Sequence, residues 1–503
     1  MRIDHALSSA RPHRRSVGWA GALVAAAVGA ALLAGPDSST SGAASSVEAR
    51  EASIAIPAAT TPKSSVATAK SSDDTVAVPD VTPIKIRSDL DDLAVRPDGT
   101  IVVATESNSR YTRKPRKPAA SAVRLGPLAQ LPSLRLVTKA DKPYTTQATV
   151  TQTGAAVAWT TDGKASPVLV RETADDGTST AQQQLSAPGR SAWPVDAASG
   201  GGAVSILYTE RAPAAKKSDA LRLAYRAPGA TSFSSVDVPI GRILKDFWQA
   251  QLVVGPSGDG AIAIWSHDRD AASLWRIGRD GTVGPELAVP IRTQGWIDGK
   301  VAVAEDGTIA AAFGTSDAGN SDQVVIAQVP AGSNRLAPVY RLEASEGSSL
   351  ATQGLGLAVS PNGRLLVSLE DTGGSQVIVE GSGTSLKKTY LPYTSGPSTA
   401  TAWMPDGSAV VVFEAYDSVE ERSQLVSIRH EPGAEFGEPT PIGQALTPRS
   451  QSSKVPDASS APSSASVRLL ALVPAADRQA VLTWQVASDH GGHPRLFVAR
   501  VKP

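Results

Sequence analysis

LAVRPDGTIVVA (Leu93–Ala104), LAVSPNGRLLVSL (Leu357–Leu369) and TAWMPDGSAVVVF (Thr401–Phe413) share one pattern, an apolar run, a Pro-Asp-Gly or Pro-Asn-Gly turn and a second apolar run. Glycine accepts the positive φ that tight hairpins need, so each stretch reads as two antiparallel strands joined by a turn. Looser copies begin at Thr149, Val195, Leu252, Val301 and Leu470. The turn glycines Gly99, Gly154, Gly202, Gly260, Gly307, Gly363 and Gly407 recur about every 50 residues, a period that suits one four-stranded propeller blade. Helical repeats would instead show apolar spacing near 3.6.

A second strand pair follows each hairpin. QVVIAQV leads through Pro330-Ala331-Gly332 into APVYRLEA, and SLWRIG leads through Arg279-Asp280-Gly281 into GPELAVP. The last repeat ends one strand short at Pro503, while Val81–Ser88 has no partner of its own. If that N-terminal stretch completes the last blade, the ring closes and no sheet edge is left over. The expectation is an all-β, single β-propeller of eight blades over residues 76–503, or of seven if the first or last repeat is degenerate.

Ahead of the repeats, Arg2, Arg11, Arg14 and Arg15 precede an uncharged apolar run from Val17 to Ala34. A basic flank before such a run marks residues 1–35 as a signal peptide or a helical membrane anchor, with the remainder extracellular or in the cell envelope. Cleavage and retention both stay open, and membrane contact would run through residues 17–34 if the run is kept. Residues 36–75, rich in Ser, Ala, Thr and Pro, cannot bury enough surface to offset ordering and read as a disordered linker. Residues 445–466 have the same character inside the folded region.

Lys plus Arg and Asp plus Glu number 48 each, so a nucleic-acid binder, which needs a basic excess, is excluded. The chain has no cysteine, which removes thiolate zinc sites, cysteine nucleophiles and disulfides and leaves core burial to hold the fold. No cofactor motif is present, and a monomer is expected.

The repeats resemble those of sialidase-like, BNR-type β-propellers over roughly residues 80–503, at the level of repeat pattern. Their Asp-box turn has its nearest counterpart in Thr173-Ala174-Asp175-Asp176-Gly177-Thr178-Ser179-Thr180, which lacks the tryptophan; Arg226–Phe233 and Glu431–Phe436 are looser echoes. The resemblance implies the propeller fold. A sialidase-type reaction would also need an arginine cluster and a Tyr activated by Glu. Ile86-Arg87-Ser88 is the nearest approach to the family's Arg-Ile-Pro, and no Tyr–Glu pair can be named.

Strand polarity puts the Asp-Gly hairpins on one face and the longer, variable loops on the other, where ligand contacts usually reside. Tyr144, Trp193, Trp248 and Trp296 fall about ten residues before the turn in four successive repeats, where innermost strands begin. Such an arc suits sugar stacking or peptide capture; filling of gaps between blades is the competing account. Asp89, Asp91 and Asp92 add an acidic set at the start of the first repeat. The aromatics that close second strands, Trp159, Tyr208, Trp265, Phe313, Phe413 and Trp484, read as core. The acids after them, among them Glu210, Asp371 and Asp417, read as turn caps, a cation-holding ring being the alternative. The basic run Arg110–Lys117 reads as a solvated loop, and His490-Gly491-Gly492-His493 as a glycine-rich loop. The leading functional expectation is a non-catalytic binding or scaffold module for a carbohydrate or protein ligand. A glycoside hydrolase or lyase comes second, and a purely structural envelope protein third.

Overall fold

The computed structural model describes residues 82–84, 89–106, 120–127, 135–141, 143–161, 166–211, 219–240, 248–266, 271–291, 297–315, 323–344, 350, 354–371, 375–383, 385–417, 422–431, 434–442, 467–475, 479–486 and 495–501. These residues form 31 strands. The leader 1–35, the linker 36–75 and the segment 445–466 lie outside them.

Strand β1 (Thr82–Ile84) comes first. Blade 1 is β2 (Asp89–Val95), β3 (Thr100–Glu106), β4 (Ala120–Pro127) and β5 (Arg135–Asp141). Blade 2 is β6 (Pro143–Thr151), β7 (Gly154–Thr161), β8 (Val168–Ala174) and β9 (Gln183–Gln184). Blade 3 is β10 (Ser191–Gly200), β11 (Ala203–Arg211), β12 (Asp219–Arg226) and β13 (Ser234–Asp237). Blade 4 is β14 (Trp248–Val254), β15 (Gly260–Ser266), β16 (Ala271–Ile277) and β17 (Leu287–Val289). Blade 5 is β18 (Ile297–Val303), β19 (Ile309–Thr315), β20 (Gln323–Val329) and β21 (Tyr340–Glu343).

Blade 6 opens with β22 (Gly356–Val359), β23 (Leu365–Glu370) and β24 (Ser375–Ser382). Its outer strand is the first part of β25 (Ser385–Trp403), which runs on without a break to become the inner strand of blade 7. Blade 7 continues with β26 (Ala409–Asp417), β27 (Arg422–His430) and β28 (Thr440–Pro441). Blade 8 is β29 (Val467–Pro474), β30 (Ala480–Val486) and β31 (Arg495–Val501), completed by β1 through Thr82↔Val498 and Ile84↔Leu496. Eight antiparallel blades therefore form, with the N-terminal stretch closing the last one as the unpartnered strand requires.

The hairpins form because their turn residues match the backbone they must adopt. In blade 1 the Arg96 N–H donates to Thr100 O and the Gly99 N–H to Arg96 O, with Gly99 at φ 85° and the Asp98 carboxylate accepting the Thr100 N–H at 2.7 Å. That is a type I turn closed by a left-handed glycine, the common three-residue hairpin. Asp306–Thr308 and Asp406–Ser408 repeat the carboxylate contact.

Second strands are buried along almost their whole length, because each lies mid-blade with a neighbouring blade on both faces. They favour small and branched side chains, as in Ala310-Ala311-Ala312. The core has no centre within any one blade. One cluster joins Leu207, Trp265 and Phe313 across blades 3, 4 and 5; another joins Val412, Leu482 and Trp484 across blades 7 and 8. The second-strand aromatics are core, as their placement indicates: Trp159, Tyr208, Trp265, Phe313, Phe413 and Trp484 are all buried.

Candidate functional site

The hairpin face is sewn shut by arginines. Arg96 donates to Thr151 O and Gln152 O of the next blade and pairs with Asp175 at 3.0 Å. Arg276 donates to Gly307 O and Pro330 O, and Arg429 pairs with Asp406 at 2.7 Å. These guanidiniums are committed to carbonyls and carboxylates of the frame, which leaves little for a ligand.

The opposite face is built differently. Innermost strands begin there, and five of them, β2, β6, β10, β25 and β29, carry a bulge or register shift close to that end. A bulge re-aims the side chains beside it. In blades 1 and 3 the residue after the bulge is an aspartate with the same job. Asp92 accepts the Leu93 N–H on Oδ1 and the Ala148 N–H of blade 2 on Oδ2, both at 2.8 Å. Asp196 accepts Ala197 N–H at 2.8 Å and Leu252 N–H of blade 4 at 2.7 Å. Gln251 to Val301 N–H and Ser398 to Leu469 N–H continue this belt between neighbouring inner strands. Burial pushes the Asp92 carboxyl up to about 8, with Asp196 adding to the rise against the two N–H bonds. Burial pushes Asp196 to about 7, opposed by its own backbone bonds and by Lys300. Asp92 is thus built into the wall of the ring.

Tyr144 is the second residue of β6, Trp193 the third of β10 and Trp248 the first of β14, so three neighbouring blades present these positions at one end of their inner strands. Trp296 lies outside the described residues, immediately before β18. Asp89 and Asp91 lie on β2. Trp193 is half-buried, with the Arg211 guanidinium carbon 5.4 Å from its ring centroid.

Around Trp193 the sequence reading missed three arginines. The β10–β11 register sets Ser191 opposite Arg211, Ala192 opposite Glu210 and Trp193 opposite Thr209. Glu210 is buried and accepts the Ala187 N–H at 2.9 Å, with Arg190 at 3.4 Å and Arg222 at 3.6 Å. Arg222 also reaches Asp237 at 2.8 Å. Beneath them the Tyr208 hydroxyl donates to Leu185 O at 3.1 Å. The only available signal was pairing: a strand-end Arg opposite the start of a strand whose third residue is Trp.

On the far side of the ring, Glu370 ends β23 and its carboxyl is raised to about 7, mainly by burial, then by Glu414 and Asp371. Asp371 is buried. Asp162, Asp268, Asp317, Asp489, the run Arg110–Lys117, His490, His493, and Arg87, Arg242 and Arg292 lie outside the described residues. Among the described residues, no group of three His, Cys, Asp or Glu side chains could hold a metal ion.

No protein-family profile and no curated protein sequence matches the chain. Solved structures do. The polysaccharide lyase Uly1 matches at 10% identity and TM-score 0.38, over 71% of this chain and 89% of that one. The β-propeller domain of the Trilobed protease from Pyrococcus furiosus matches at 11% identity and TM-score 0.36, over 72% and 94%. A prolyl endopeptidase matches at 14% identity and TM-score 0.39, over 78% of this chain and 52% of that one. The class that fold and strand order define is the eight-bladed β-propeller.

Proposed function

We propose that this protein is an exported propeller of the cell envelope that binds a glycan or protein ligand, without catalysis, through its loop face. The observation that carries the reading is the aromatic arc at the starts of consecutive innermost strands, of which Trp193 is half-exposed beside a guanidinium. Large planar side chains at a ring mouth supply contact area at little entropic cost. The Arg-flanked apolar run at residues 17–34 supports export. The test is retention of the full-length protein on cell-wall polysaccharides, beside a Trp193→Ala, Trp248→Ala, Trp296→Ala triple variant. Binding lost in a variant that still unfolds cooperatively supports the reading. A wild type that binds nothing, or a triple variant that binds equally, overturns it.

A hydrolase or lyase working from the same face is the second reading, favoured by Glu370. A carboxyl poised near neutrality suits general acid–base work. Release of new chain ends from a polysaccharide by wild type, abolished by Glu370→Gln, would decide for it.

A further inference from the structure

Blade 6 turns a buried amide toward blade 7. Gln376, on β24, is fully buried, and among the described residues neither its Nε2 nor its Oε1 has a hydrogen-bond partner. Buried polar groups are paired as a rule, and an unpaired one calls for an explanation in a bound molecule or a function. The register shows where this amide points. Gln376 lies opposite Glu370 of β23 on one side and Leu391 of β25 on the other, so the three side chains form one row across the blade. Side chains alternate along a strand, which puts Gln376 on the same face as Ile378. That face meets blade 7: Ile378 and Leu391 pack with Phe413 and Val426, and Ser368, two residues before Glu370, donates to Thr399. The row ends on the loop face at Glu370, the last residue of β23, which is half-buried.

We propose that Gln376, Glu370 and the apolar wall beside them form a subsite for the acetamido group of an N-acetylated sugar. The proposal rests on the glycan-binding reading above and names the substrate class. A carboxamide offers donor and acceptor in one plane, and a second amide answers both at once, its C=O accepting from Nε2 and its N–H donating to Oε1. Glu370 meets a neutral amide in either charge state, as acceptor when ionised and as donor when protonated. Leu391 and Phe413 give the acetyl methyl an apolar seat. A pair of sugar hydroxyls also bonds an amide but leaves the Leu391 side of the row empty. The small planar group enters beside Glu370, where the row reaches solvent, and the sugar ring stays at the rim.

The experiment titrates the full-length protein by calorimetry with three probes: chitohexaose, cellohexaose, which has a hydroxyl in place of each acetamido group, and a capped alanine tripeptide, which has the amides without the sugar. The expected result is binding to chitohexaose at least about tenfold tighter than to cellohexaose, with the peptide weaker still. Gln376→Met keeps the volume and removes the amide. It lowers chitohexaose affinity at least about tenfold and leaves the urea midpoint unchanged or raised, because no hydrogen bond within the protein is lost. Glu370→Leu, at the half-buried end of the row, lowers the same affinity and gives a second variant; cooperative unfolding is checked for each. Equal binding of the two sugars, or full affinity in a folded variant, overturns the subsite and leaves the glycan-binding reading standing. Peptide binding that exceeds chitohexaose binding and is lost in Gln376→Met overturns the sugar class. Binding of neither sugar overturns the subsite, and the wall-polysaccharide retention above then decides the broader reading separately.

Discussion

Gly299→Ala tests whether blades are held together by aromatic contact at their inner edges. Gly299 lies on β18 opposite Phe313, and Trp265 of blade 4 meets Phe313 edge to face at 6.1 Å and 65°. A Cβ at position 299 would stand 2.8 Å from Phe313 Cδ1, 3.0 Å from its Cε1 and 3.1 Å from Trp265 Cε3. The backbone there is not left-handed, so alanine is unstrained and the whole effect is steric. Both rings are buried and flanked by neighbouring blades, so one must retreat by about half an ångström with nowhere to go. Overpacking of this kind costs about 1–3 kcal/mol. Urea unfolding of wild type and variant measures it, with near-ultraviolet circular dichroism reporting the environment of Trp265. Phe313→Leu removes the atoms the new methyl meets, so on that background Gly299→Ala should cost at least about 1 kcal/mol less. A variant within about 0.5 kcal/mol of wild type, or equal costs on both backgrounds, would refute the reasoning.

Asp92 and Asp196 set a pH dependence. Their carboxyls are raised from 3.8 to about 8 and about 7 in the fold, so their contribution is fully present below about pH 4 and lost as pH rises through 7–8. The urea midpoint should therefore fall between pH 5 and pH 8, and fall less in Asp92→Asn; a wild-type midpoint that rises over this window contradicts the assignment. The turn carboxyls of Asp98, Asp176 and Asp280, held below their usual range by hydrogen bonds to Thr100, Thr178 and Thr282, titrate below this window, whereas Glu370, also raised to about 7, adds to the fall within it. Between blades 6 and 7, Glu380 lies 3.1 Å from Arg364 and 3.0 Å from His430 Nε2, the second contact being too poorly aligned for a hydrogen bond. Glu380→Gln removes the acid that pairs with Arg364 and should cost about 3 kcal/mol, the low end for a broken buried pair because Arg364 is partly exposed. A loss under 1 kcal/mol would show that solvent already screens the trio.

The repeat carried the fold because a hairpin and its partner strands are specified locally: Gly99 and Gly407 meet a backbone demand within their own turn, and apolar runs mark what lies mid-blade. Ring closure was legible for the same reason, since one stretch lacked a partner and one blade lacked a strand. The β25 continuity was not, because Thr394–Thr399 carries the Gly and Pro of a connection, yet ladder pairing on both sides keeps it extended. The site was legible only in part. Regular spacing picked out the candidate aromatics, whereas Arg190 and Arg222 meet on Glu210, and Arg211 lies over Trp193, only once β10, β11 and β12 pair. Asp92 reads in sequence as one of three neighbouring acids at a mouth. Only the bulge after Leu90 turns it onto the amides of its own and the next blade.

The closing strand fixes where force enters the molecule. β1 is at once the outermost strand of blade 8 and the first of the described strands, and its ladder is three residues long. A pull applied on the N-terminal side of β1 would load this short ladder before any other part of the ring. Peeling it away would leave seven complete blades and one three-stranded remnant, so a pull at the N-terminus acts as a latch release on the ring.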